Sequence, residues 1–133
     1  MTNFETGEKL LREAEEYLEE MHRAYGRGSW NVVIRRSQEV VELSLKALLK
    51  IMGIEYPKVH DTAEFFITVT ENRGIALEEE TKEKIKKIST ELAAKRAPAF
   101  YLEKEFTRKE AEEAKEGAEY VLNVAKDLYM KLK

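Results

Sequence analysis

Apolar residues recur every three or four positions through most of the chain, and no stretch sustains the strict alternation of a half-buried strand. That spacing predicts amphipathic helices and no sheet. The clearest stripe lies in Trp30 to Met52. There Trp30, Val33, Ile34, Ser37, Val40, Val41, Ser44, Leu45, Leu48, Ile51 and Met52 fall on one broad face. A helix with such a face buries one side along its length, so this segment is expected to be the central helix against which the others pack. Ser29 stands at its N-cap position, and Gly53 offers a left-handed exit before Pro57.

The same reading gives the flanking elements. Phe4 to Tyr25 carries Leu10, Ala14, Tyr17, Leu18, Met21 and Tyr25 at helical spacing, and Gly26-Arg27-Gly28 breaks it. So short a connection predicts an antiparallel neighbour of the central helix. The stretch from Gly53 to Asp61 is expected to be irregular, because residues before proline favour extended conformations. Asp61-Thr62-Ala63-Glu64 reads as a capping box opening a short helix through Phe65, Phe66 and Val69 to Asn72. After Gly74 a further helix starts near Leu77 to Glu79, with Ile85, Ile88 and Leu92 as its buried stripe, and it is expected to stop at Pro98. An apolar connection, Ala99 to Leu102, follows. Thr107 and Glu110 form a second capping box, ahead of a final helix with the stripe Ala111, Ala114, Ala118, Val121, Leu122, Ala125, Leu128, Tyr129 and Leu132. The expected fold is all-α: an up-and-down four-helix bundle with one additional short helix, residues 1–133 forming one domain.

Two features promise chemistry. Arg35, Gln38, Glu42 and Lys46 are three, four and four residues apart and line one flank of the central helix. That ridge is either a solvated flank or a polar seam facing a ligand or a second subunit. The second feature is Arg96, which continues the stripe of Ile85, Ile88 and Leu92 towards the core. A guanidinium directed inward must find acceptors. A carboxylate such as Glu42 can supply them in a buried pair, or Arg96 faces a cleft that admits a phosphate or a base. His60 precedes a helix start, where the dipole disfavours its charged form.

Composition narrows the function classes. The 133 residues carry a formal net charge of −3, with 37% charged residues of interspersed sign. This argues against binding nucleic acid mainly through phosphate contacts. Without cysteine, disulfides, thiolate metal sites and cysteine nucleophiles are excluded. The sequence holds no paired-histidine metal motif, no glycine-rich phosphate loop and no serine triad, so neither a metal nor a cofactor is expected. It also lacks a signal-peptide-like apolar run and any segment of bilayer length, and a cytoplasmic protein is the expectation.

Trp30-Asn31, the run from Ser37 to Leu49 (SQEVVELSLKALL), Gly53, Pro57, His60-Asp61, Lys95-Arg96-Ala97-Pro98 and the alanine-rich last helix together resemble the HEPN domain family. The resemblance spans nearly the whole chain. It implies the same helical bundle, often homodimeric, in one of three roles: a nucleotide- or substrate-binding subunit beside a minimal nucleotidyltransferase, a metal-independent ribonuclease toxin, or a regulatory or structural scaffold. In the ribonucleases an arginine is followed four to six residues later by a histidine. Arg96 matches that arginine, but Ala97 to Leu102 contain no histidine, and Tyr101 stands roughly where it would be. The expected role is therefore the non-catalytic binding partner of a nucleotidyltransferase, as in a toxin–antitoxin pair. Arg96, His60, Tyr101, Arg35, Gln38, Glu42 and Lys46 are the candidate nucleotide-binding residues. The alternatives are a ribonuclease, in which RNA is the substrate and His60 would have to reach Arg96, and a homodimeric scaffold with Val32 and Leu43 as its seam. Tyr101 is read as a base-stacking group, an acceptor of a nucleotidyl group, or simple loop packing.

Overall fold

The structure, a computed structural model, describes all 133 residues. Five helices follow one another without a strand: α1 (Asn3–Gly26), α2 (Trp30–Ile51), α3 (Ala63–Asn72), α4 (Glu79–Phe100) and α5 (Arg108–Leu132). The four long ones make the up-and-down bundle and α3 is the short addition. α2 is the central element, packing against α1, α5 and α4. Val33, Ile34, Val40, Val41, Leu45, Ala47, Leu48 and Leu49 on α2 are all buried, so its apolar face is wrapped by three neighbours rather than one.

The small residues fall where helices approach closely. Gly7 on α1 lies against the backbone of α2, and Ala111, Ala114, Gly117 and Ala118 are buried on α5. Thr2 and Thr107 each form a complete capping box, with Glu5 and Glu110 respectively. Gly53 leaves α2 at φ 76°, the left-handed conformation expected of it.

Three local expectations fail. Asp61 does not cap α3. Thr62 occupies the N-cap position without a side-chain bond, and Glu64 does not reach back. The Asp61 carboxylate instead accepts from Ser89 Oγ and Thr90 Oγ1 on α4, both at 2.7 Å, and from the Ala63 N–H at 3.3 Å. A charge-assisted tertiary contact has displaced the local cap. Nor does Pro98 stop α4, which continues to Phe100. Proline forfeits one N–H bond, here in the last turn where Ala94 is exposed. Asn31 holds that turn from outside, donating through Nδ2 to the Ala99 and Lys104 carbonyls at 3.2 and 2.8 Å and accepting from the Phe106 N–H at 2.9 Å. Third, Ser29 occupies the N-cap position of α2 without a side-chain bond. Val32 and Leu43 are half-buried and packed against the core of the chain itself.

Candidate functional site

The side chains that converge come from three helices and one loop. α2 presents Gln38, Glu39 and Glu42 on the flank facing α4 and α1. α4 brings Arg96, and the loop before α3 brings His60. Gln38 is 2% exposed, and its amide is oriented by what surrounds it: Oε1 accepts from Arg96 Nη1 at 2.8 Å, while Nε2 donates to Glu42 Oε1 at 2.9 Å. Glu42 also accepts from His60 Nδ1 at 2.8 Å and, on its other oxygen, from Lys46 Nζ at 2.6 Å. A carboxylate has only acceptors to offer, so His60 carries its proton on Nδ1, and Nε2 is left as the acceptor of the neutral ring. Asp61, tied to α4, anchors the loop that delivers His60.

These groups open onto a small cleft of about 180 Å³ lined by Glu13, Tyr17, Glu39, Glu42, Leu43, His60 and Arg96. Its electrostatics are mixed. Burial pushes the Glu42 carboxyl up, but the hydrogen bonds from Gln38, Lys46 and His60 and the charge of Lys46 outweigh it and hold the group below its ordinary value. Glu42 is therefore a fixed anion at neutral pH. Arg96 is 30% exposed and donates to an uncharged amide. The nearest carboxylate oxygen, Glu39 Oε2, is 3.7 Å away, and Glu39 is bound more closely by Arg36 at 2.6 Å. Much of the Arg96 charge thus remains available to an incoming anion.

The seven candidates divide into two groups. Arg96, His60, Gln38 and Glu42 come together around the cleft, with Lys46 behind Glu42, its ammonium 5.1 Å from the Tyr56 ring centre. Arg35 and Tyr101 stand apart from it. Arg35 covers the Phe100 ring at 4.7 Å, and Tyr101, 70% exposed, meets the edge of the same ring at 4.9 Å. Helix α4 runs two residues past the stop expected at Pro98, and Tyr101, at its C-cap, stands in solvent. A buried Arg96–Glu42 pair does not form, because Gln38 stands between them. Sequence reasoning missed Tyr17, Glu13 and Glu39, which complete the cleft. Tyr17 reads as core by spacing, and the two glutamates look like solvated helix residues.

The HEPN domain profile matches residues 8–128, all but the ends of the chain. The chain belongs to the HEPN family. No curated protein and no solved structure matches it significantly. The Arg96 side of the cleft is formed by α4, and the histidine in the cleft comes from the loop before α3. No helix is long and apolar enough to cross a membrane.

Proposed function

We propose that this HEPN domain is a binding module whose Arg96 cleft receives the phosphate and adjoining sugar or base of a nucleotide, in association with a nucleotidyltransferase partner. The observation that carries the reading is Arg96 itself: a half-exposed guanidinium held in place by a neutral acceptor, Gln38 Oε1, beside a histidine with one free ring nitrogen. Arg96 supplies the planar fork that suits phosphate. His60 Nε2 accepts from a hydroxyl or an exocyclic amine. A volume of about 180 Å³ is below the roughly 300 Å³ at which ligand pockets usually begin. It encloses one moiety of a nucleotide and leaves the rest to a second surface, either the partner enzyme or another copy of the chain.

Thermal unfolding with and without a panel of nucleotides, on the native sequence and on Arg96→Ala, tests this. A ligand at about a hundred times its dissociation constant adds about 2.7 kcal/mol, a shift of several degrees for a chain of this size. A nucleotide-specific rise that disappears in Arg96→Ala is the expected result. Equal shifts in both proteins overturn the site.

One observation favours a second reading, metal-independent RNA cleavage. His60 lines the same cleft as Arg96 although 36 positions separate them, so a base is within the site even without the family's local histidine. His60 Nε2 would take the 2′-hydroxyl proton, Arg96 would brace the phosphodiester as the 2′-oxygen attacks, and the departing 5′-oxygen would take a proton from water. RNA degraded in the presence of a chelator, with loss of activity in His60→Ala, selects this reading. Binding without cleavage discards it.

A further inference from the structure

Gln38 occupies an unusual position for a buried amide. Its two ends touch groups of opposite charge, Arg96 through Oε1 at 2.8 Å and Glu42 through Nε2 at 2.9 Å, and its Nε2 also points at the His60 carbonyl at 3.5 Å. An arginine and a glutamate this close, on adjacent helices at a half-buried site, attract one another strongly. With the amide removed, nothing separates the guanidinium from Glu42. Glu39 Oε2 already lies 3.7 Å from Arg96, but that carboxylate is held by Arg36 at 2.6 Å, and the closure newly opened is onto Glu42. That closure would neutralise Arg96, and it would take from His60 the acceptor that fixes its ring. Lys46 holds only the second oxygen of Glu42, Oε2, so Oε1, the one shared by Gln38 and His60, is the oxygen Arg96 would take.

We propose that Gln38 is a positioning residue that insulates Arg96 from Glu42, keeping the guanidinium free for an anionic ligand and the carboxylate free to orient His60. The amide suits this work because it satisfies both neighbours at once, accepting from the cation and donating to the anion. A carboxylate at this position would neutralise Arg96 and repel Glu42, and a hydrocarbon would separate neither. The inference refines the anion-binding reading of Arg96 and rests on it in part. Its effect on His60, however, exists without any ligand, which allows the two to fail separately.

The experiment is side-chain NMR on the intact chain with ¹⁵N-labelled histidine. His22 and His60 are the only two imidazoles. His22 bonds Glu119 through Nε2, on another part of the surface, and so serves as an internal reference. At a pH where the rings are neutral, His60 should show the Nδ1–H tautomer that its bond to Glu42 requires. In Gln38→Met, close to glutamine in size, His60 should revert to the Nε2–H tautomer that prevails in free histidine, with His22 unchanged. Pyrophosphate, followed by the same signals, should bind at least about tenfold more weakly, the scale of one lost charge-assisted hydrogen bond. The decisive arm is Gln38→Met combined with Arg96→Ala. Removing the intruding guanidinium should return His60 to the Nδ1–H tautomer, whereas a merely local disturbance by methionine would persist. If Gln38→Met does not fold, Gln38→Asn, which keeps an amide one methylene short, takes its place. A His60 signal unaltered in the single variant, or unrestored in the double one, overturns the insulation. Failure of pyrophosphate to bind the native chain, with the tautomer changes as expected, refutes the anion site and leaves the insulating role standing.

Discussion

At Gly7 the first two helices touch so closely that a single added methyl group should be felt throughout the bundle. A Cβ there would lie 2.6 Å from Ile51 Cγ1, 2.8 Å from the Ala47 carbonyl oxygen and 2.9 Å from the Ile51 nitrogen. Two of these atoms are backbone of α2 and have no rotamer to retreat to, so α1 itself must move. Overpacking of this kind costs about 1–3 kcal/mol, and rigid neighbours place Gly7→Ala at the top of that range. Alanine returns about 1 kcal/mol of helix propensity, which leaves a net loss of about 2 kcal/mol, or roughly 8 °C in melting temperature for a chain of this length. Gly117→Ala is the control. Its Cβ would come within 3.0 Å of Ile88 Cγ2, a branch methyl of a half-buried side chain rather than backbone, so strain and propensity should offset each other to within about 0.5 kcal/mol. Urea titrations of both variants measure the difference directly. If Gly7→Ala proves as stable as Gly117→Ala, the close approach of α1 to α2 is wrong. So then is the position of the cleft wall, since α1 carries Glu13 and Tyr17.

Other substitutions probe the elements that deliver the site. Asn31→Ala removes three hydrogen bonds between the start of α2 and the α4–α5 connection. At about 1 kcal/mol each, less where water replaces them, the cost is about 2 kcal/mol by urea denaturation; Asn31→Asp should be no better, because it sets a carboxylate oxygen against two carbonyls. Asp61→Ala leaves the buried Ser89 hydroxyl without its acceptor and frees the loop bearing His60, so amide exchange from residues 58–63 should quicken while α2 stays protected. Acid should loosen the start of α5. Lys104 and the Thr107 N–H hold the Glu110 carboxyl down at about 2. The stabilisation this brings is complete above the ordinary carboxylate range and is lost as pH falls from about 5 towards 2. Exchange at residues 108–111 should accelerate over that interval, and Glu110→Gln should abolish the pH dependence.

Much of this architecture is visible in the residues alone, for a definable reason. Burial imposes a period on α2 and α5 strong enough to survive their polar insertions, and the Thr107–Glu110 capping box is a local motif whose bonds close within four residues. Asp61 and Pro98 mislead because their local preferences are overridden from a distance, by Ser89 and Thr90 in one case and by Asn31 in the other. No pattern within a few residues of Asp61 or Pro98 contains those partners. The cleft suffers from the same limit. His60, Arg96 and Tyr17 meet across long separations in the chain, and only the ridge of α2, where Gln38 and Glu42 are one turn apart, is a local feature.

Arg96 shows why helical spacing alone cannot settle a charged site. Periodicity fixes the direction in which its Cβ leaves α4, and that direction does lead towards the bundle, where Leu92 and Ala99 on either side are buried. The charge, however, sits at the end of a long flexible stem that packs along apolar surface while its head seeks water or acceptors. Whether the head ends on a carboxylate, an amide or a ligand is decided by the residue it meets on the opposite helix. Here that residue is Gln38, whose amide offers an oxygen at 2.8 Å without cancelling the charge. Replacing that one neutral acceptor by a carboxylate would close Arg96 into a structural ion pair, without altering a single position in the hydrophobic pattern. The fold is therefore written in the stripes, while the function of this HEPN domain depends on the identity of a few side chains between them.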